Sequence, residues 1–244
     1  YHGLQSVGGY SPAKLKIYQT LVDSCFYRGP DPAFPLNMNV VNMLNAKYLV
    51  AQGQLPADRF VQRFVDPSGR VFTYENPAAL PRAWFVQKAL VAGSDSEVFA
   101  LLNSRDFNPA TTAILQKSPA QPIQSPGSDA SVTVTEYKSR TIKLKATTSA
   151  PALLVLSEIY YPAGWKAFVD GAETEIYRTN SILRSIVVPA GTHEIVFRFD
   201  PAMYELGWDL THAGWAVVAV CVLIGLWQTP AVRERLLPRK QSAS

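Results

Sequence analysis

Residues 132–159 read VTVTEYKSRTIKLKATTSAPALLVLSEI, and the periodicity of this stretch decides the fold. Val132 and Val134 alternate with Thr133 and Thr135, and Ile142, Leu144 and Ala146 alternate with Lys143 and Lys145. A period of two places one residue kind on each face of a strand, so both segments predict half-buried strands. Leu153 to Ile159 is apolar almost throughout, which predicts a central strand covered on both faces. Further strands follow outward from this centre. Lys166 to Val169 runs into Asp170-Gly171, a hairpin signal because glycine accepts positive φ at no steric cost. Glu175–Arg178, Ile182–Val188 and Glu194–Phe199 come next, the last two joined by Pro189-Ala190-Gly191-Thr192. Short strands at regular spacing with turn chemistry between them predict an antiparallel, jelly-roll-like β-sandwich over 132–203.

Upstream, 1–116 reads as a mixed α/β region, so the expected class is α+β. Ser11-Pro12 opens a helix through AKLKIYQTLVD, with serine as cap, proline at the first helical position, and Leu15, Tyr18 and Val22 on one face. A Pro-rich loop spans Gly29 to Pro35. A second helix is expected from about Pro35 to Asn45 and a strand over Ala46–Ala51. The apolar stretches Arg59–Val65 and Val71–Tyr74 flank the turn Asp66-Pro67-Ser68-Gly69. One strand is expected over Ala83–Val91, then a helix Asp95–Asn103 capped by Ser94. Residues 117–131 (KSPAQPIQSPGSDAS) carry three Pro, four Ser and one Gly and read as a linker.

Downstream, Ala213–Trp227 is AGWAVVAVCVLIGLW, fifteen residues without a charge, and the apolar stretch extends over 206–228. A bilayer core about 30 Å thick needs roughly 20 helical residues, so this segment predicts a transmembrane helix. Trp208, Trp215 and Trp227 mark its interfacial zones. Arg233, Arg235, Arg239 and Lys240 follow it, whereas Asp200, Glu205 and Asp209 precede it. The positive-inside rule therefore expects 229–244 to be a basic cytoplasmic tail and 1–205 to be extracytoplasmic. Tyr1 is not followed by a leader peptide, so a translocated domain of this size is expected to be preceded by membrane spans in a longer protein. The lipid bilayer is the first expected partner. Charged residues make up 17% of the chain and the net charge of +4 is dispersed, which argues against nucleic acid as a partner.

The chemistry-bearing residues are few. His2, His193 and His212 have no metal-ligand spacing among themselves or with Cys25 and Cys221, and no cofactor motif or catalytic constellation occurs. No catalytic, cofactor-binding or metal residue is therefore expected. Cys25 and Cys221 differ too much in setting to form a bridge. Glu158, inside LLVLSEIYYP, is either a buried functional carboxylate or, the favoured reading, a strand-edge acid paired with an arginine. Tyr160, Tyr161, Trp165, Phe168 and Tyr177 gather around the loop before Asp170-Gly171. Within this group Tyr160, Tyr161 and Trp165 form a candidate sugar platform, because aromatic faces stack on sugar C–H surfaces; ordinary core packing is the alternative. Gly8-Gly9-Tyr10 is either an anion-binding helix start or a plain turn.

Several runs resemble the C-terminal part of the bacterial YfhO family of membrane proteins. They are Ser6-Val7-Gly8-Gly9-Tyr10-Ser11-Pro12-Ala13-Lys14, Asn42-Met43-Leu44-Asn45-Ala46-Lys47-Tyr48, and Glu75-Asn76-Pro77 through Ala83-Trp84-Phe85-Val86. The most specific is 156–171, LSEIYYPAGWKAFVDG, continued by Val188-Pro189-Ala190-Gly191-Thr192-His193. Ala163 departs from the family pattern Tyr-Tyr-Pro-Gly-Trp by one inserted residue, which lengthens that loop. The resemblance implies a multi-spanning N-terminal part similar to GT-C glycosyltransferases, which use polyprenyl-phosphate sugars. It also implies a role in glycosylating cell-envelope polymers, with the catalytic acids on an early outer loop outside this sequence. The chain is then expected to be non-catalytic, with envelope glycan or polyprenyl-phosphate sugar as a partner. A sugar-binding or scaffolding β-sandwich module with no transfer role is the alternative.

Overall fold

A computed structural model describes residues 6–8, 15–31 and 34–228. Residues up to Phe199 form one compact unit, and those from Asp200 onward belong to a second.

The first unit is α+β. Its helices are α1 (Lys16–Leu21), which continues as a π turn over Val22–Phe26, α2 (Met38–Met43) and α3 (Asp95–Leu102). The early strands are β1 (Tyr48–Ala51), β2 (Val61–Val65), β3 (Phe72–Glu75), β4 (Ala83–Val86), β5 (Lys88–Val91) and β6 (Thr112–Leu115). The later strands are β7 (Ser131–Lys138), β8 (Thr141–Thr148), β9 (Ala152–Ile159), β10 (Trp165–Val169), β11 (Ala172–Thr174), β12 (Tyr177–Thr179), β13 (Leu183–Val188) and β14 (Gly191–Phe199).

Two sheets face each other, ordered β11-β10-β14-β8-β7 and β4-β9-β13-β12-β6-β5, beside a small sheet β1-β3-β2. Between the large sheets lie Ile142, Leu144, Ala146, Ala167, Ile195 and Phe197 from one side, and Leu154, Leu156, Ile186 and Val188 from the other. The alternate residues of the six-stranded sheet, Leu153, Val155 and Leu183 among them, pack on its opposite face against Leu21, Cys25, Val40, Met43, Val98 and Leu102 of the helical region. This explains the unbroken apolar run of β9. Even-numbered side chains enter the sandwich and odd-numbered ones enter the helical layer, so neither parity meets water. The small sheet buries Tyr74 with Phe34 and Phe60 in a separate cluster.

Several boundaries differ from the sequence expectation. The stretch Ala83–Val91 is two strands, because β4 pairs with β9 while β5 pairs with β6. Only Gln87 separates them although they stand at opposite edges of the order, so the sheet curls enough to bring the end of β4 near the start of β5. The β5–β6 pair is parallel, with α3 as its crossover, so the sandwich is not wholly antiparallel. The sandwich also extends upstream of residue 132, since β4 and β6 share a sheet with β9, β12 and β13. Residues 117–131 carry the chain from β6 in one sheet to β7 in the other. Glu175–Arg178 is not one strand. The chain leaves the five-stranded sheet at Thr174 and joins the other at Tyr177.

Local chemistry accounts for the ends. Ser94 caps α3, its Oγ accepting from the Glu97 N–H at 3.2 Å, while Glu97 Oε2 accepts from Gly93 N–H at 2.7 Å. Asn37 caps α2 by accepting from Asn39 N–H at 3.1 Å. The expected Ser11 cap and Pro12 lie outside the described residues. The buried positions of the first helix and its π turn are Leu21 and Cys25, whereas Leu15 is 40% exposed. Asp170 and Gly171, with φ of +49° and +84°, turn β10 into β11 as expected. At Asp66 the carboxylate accepts from the backbone N–H groups of Ser68, Arg70 and Val71, and these bonds with the Ser68 hydroxyl hold its pKa down to about 2.

The second unit contains α4 (Ala202–Gln228). Its segment Leu206–Gln228 has a mean hydropathy of 1.9 and is wholly unburied. Its 23 residues span roughly 35 Å, long enough for a bilayer core. The exposed rings of Trp208, Trp215 and Trp227 lie along it. Among the described residues it is the one helix long and apolar enough to cross a membrane. The basic tail lies outside the described residues.

Candidate functional site

The polar chemistry of the first unit gathers at one end of the sandwich. Glu158 continues the inward parity of Leu154 and Leu156, so its carboxylate enters the space between the sheets just past the apolar core. Its Oε1 accepts from Arg82 Nη1 at 2.9 Å and from the Tyr137 hydroxyl at 2.7 Å. Arg82 immediately precedes β4, and its guanidinium also lies over the Tyr137 ring at 5.0 Å. The acid thus ties the six-stranded sheet to β7 of the five-stranded one. The arginine-paired reading of Glu158 is the one the geometry supports.

A second arginine stands behind it. Arg184 shares the inward parity of Ile186 and Val188 and is 2% exposed. A bulge between Leu183 and Arg184 shifts the β13–β9 register at this point. Its Nη2 is 3.8 Å from Glu158 Oε2, and its guanidinium stacks on Trp165 at 4.1 Å and lies 5.7 Å from Phe197. Nε and Nη1 have no hydrogen-bond partner. Burial pulls its pKa down to about 10, against the pull of Glu158 and Tyr137 in the other direction. Arg184 was not singled out in the sequence. The signal was present: an arginine within ILRSIVV, in phase with two inward-facing aliphatics.

The aromatic residues divide three ways. Trp165 and Tyr161 flank Phe199, with ring centroids 5.4 and 6.3 Å from it, and Tyr161 is 40% exposed. Tyr160 is beside them, held by its N–H to the Ile182 carbonyl at 2.6 Å. Tyr160, Tyr161 and Trp165 are therefore brought together, and they line a cleft of about 220 Å³ with Lys166, Glu173 and Arg184. Phe168 is not part of it; it faces the opposite side of β10 from Ala167, beneath the Arg198 guanidinium at 5.0 Å. Tyr177 belongs to the core on the helical side. A second cleft of about 280 Å³ adjoins Trp165, lined by Tyr137, Lys138, Ser139, Ile142 and Glu158.

The sequence model of the family described as bacterial membrane protein YfhO matches residues 115–211. Those residues are similar to the YfhO family. The YfhO segment runs from the end of β6 through the five-stranded sheet and into α4, and it contains Tyr137, Glu158, Tyr160, Tyr161, Trp165, Arg184 and Phe199. Arg82 lies upstream of it. No curated protein and no solved structure matches the chain. The YfhO segment thus holds both clefts together with part of the membrane-capable helix.

Elsewhere the candidates are structural. His193 Nδ1 meets Asp170 Oδ2 at 2.6 Å, joining the β10–β11 turn to β14. This bond raises the His193 pKa and lowers that of Asp170. Cys25 is buried, which pushes its thiol up to about 11, and it is not disulfide-bonded to Cys221. Of Gly8-Gly9-Tyr10, the last two lie outside the described residues. Among the described residues no group of three His, Cys, Asp or Glu is placed to hold a metal ion.

Proposed function

We propose that this chain is the extracytoplasmic C-terminal domain and closing membrane span of a multi-pass glycosyltransferase, one that moves a sugar from a polyprenyl-phosphate donor to a cell-envelope polymer. In this reading the domain positions the acceptor glycan and leaves transfer chemistry to the membrane-embedded part. The observation that carries it is the aromatic run Tyr161–Phe199–Trp165 beside an open cleft, in a YfhO-like segment that leads into a membrane-capable helix. Aromatic faces present apolar area at low entropic cost and accept the C–H faces of sugars. Residues 1–205 face outward and 229–244 inward in this reading, following the positive-inside rule.

The second reading is a sugar-binding or scaffolding module with no part in transfer. What favours it is that acids at both clefts are held in ion pairs, Glu158 by Arg82 at 2.9 Å and Glu175 by Lys117 at 2.7 Å, which suits holding strands together rather than acid–base work.

The test is complementation. In a host lacking the gene, the full-length protein should restore glycosylation of the envelope polymer, and Trp165→Ala with Tyr161→Ala should lower it at least tenfold at equal protein level. Full restoration by that double variant would remove the acceptor-positioning role. Glycosylation unaffected by deletion of the gene would leave the scaffolding reading.

A further inference from the structure

Glu158 has more acceptor capacity than the clamp uses. Oε1 takes both hydrogen bonds, from Arg82 and Tyr137, whereas the nearest Arg184 nitrogen is 3.8 Å from Oε2, beyond hydrogen-bond reach. The same carboxylate lines the cleft of about 280 Å³ with Tyr137, Ser139 and Trp165. An acceptor with open lone pairs beside an indole matches the two features of a sugar ring, hydroxyl donors at its rim and an apolar C–H face.

We propose that this cleft is a second carbohydrate subsite, taking a neutral hydroxyl-bearing ring, a hexose or cyclic polyol, with one hydroxyl donating to Glu158 Oε2 and the ring lying against Trp165. The proposal rests on the carbohydrate reading above and extends it, because Trp165 then serves two clefts, one on the Tyr160–Tyr161 side and one on the Tyr137–Ser139 side.

The electrostatics select a neutral ligand. A phosphate or carboxylate would meet the Glu158 charge directly. The cation at the rim, Lys138, is engaged by Glu136 at 2.6 Å, and Lys143 holds the same acid from its other oxygen at 2.8 Å. Arg184 lines the first cleft and not this one, and its stacking at 4.1 Å fixes the plane of the indole. The volume is at the small end for ligand sites, which suits a single ring rather than a lipid or peptide.

The test is ligand-observed NMR titration of the full chain in nanodiscs, with methyl α-D-glucopyranoside, methyl α-D-galactopyranoside and myo-inositol as neutral probes and glucose 6-phosphate as the charged one. Ser139→Trp fills the cleft from an exposed turn, and Glu158→Gln removes the charge on the acceptor. Each should weaken the best neutral probe at least tenfold, with the thermal transition of Ser139→Trp unchanged. Unaltered affinity in Ser139→Trp, preference for glucose 6-phosphate, or no binding of any neutral probe would overturn the subsite. If Tyr161→Ala alone weakens binding, the first platform stands and the second subsite falls. If Ser139→Trp weakens it and Tyr161→Ala does not, the subsite stands and the platform falls.

Discussion

Arg184 is a guanidinium almost without solvent, compensated by stacking between aromatic rings and by one carboxylate beyond hydrogen-bond distance. Such a charge contributes little net stability while its partner is present and costs much when the partner is removed. Glu158→Ala should therefore destabilise the protein by about 3 kcal/mol. Arg184→Met, which keeps the volume and removes the charge, should be neutral or stabilising, and the double variant should recover most of the Glu158→Ala loss. Denaturant unfolding followed by tryptophan fluorescence measures all three, and additive losses would contradict the coupling. The turn Asn180-Ser181 gives a second prediction. Ser181 has φ of +73° and a buried Oγ without a partner, so Ser181→Gly should raise stability by about 1 kcal/mol. A fall in the denaturation midpoint would refute it. At this scale the sequence was half legible. Glu158 stood out as an acid in an apolar strand, but its partners, Arg82 just before β4 and Tyr137 on β7, are brought near it only by the fold.

Among the elements, the β10–β11 hairpin has a pH response with a defined sign. The raised His193 pKa means that its contribution is full below about 6.5, the ordinary histidine value, and is lost as pH rises through the higher folded value. The lowered Asp170 pKa means that its contribution is present above about 3.9 and is lost as pH falls through the lower folded value. The pair thus helps most between about pH 4 and 6.5. Thermal unfolding at pH 5.5 and 8.5 should show a larger loss on alkalinisation in the wild type than in His193→Gln; equal losses would contradict it. Gly191 supports the same corner, since its φ is +126° and a Cβ there would sit 3.1 Å from His193 Nε2. Strand alternation and the Asp66, Ser94 and Asp170-Gly171 signals were legible because local sequence sets them. The break of Ala83–Val91 at Gln87 was not, because both halves are apolar and the break follows from two different pairing partners.

For the whole molecule, an apolar helix with no burial is stable only with a solvent other than water around it, so α4 makes the chain a membrane protein. Its reading needed length and composition alone, which is why it was the most legible feature. The union of the sheets across 117–131 was the least legible, since a Pro- and Ser-rich crossover has the composition of a linker. The central claim, an outward sandwich on an inward-anchored helix, is tested most directly by cysteine accessibility. In a Cys25→Ser/Cys221→Ser background, Ser139→Cys and Ser244→Cys are treated in intact spheroplasts with a membrane-impermeant maleimide. The account predicts that Ser139→Cys labels at once and Ser244→Cys only after permeabilisation. Labelling of Ser244→Cys in intact spheroplasts, with Ser139→Cys protected, would contradict it.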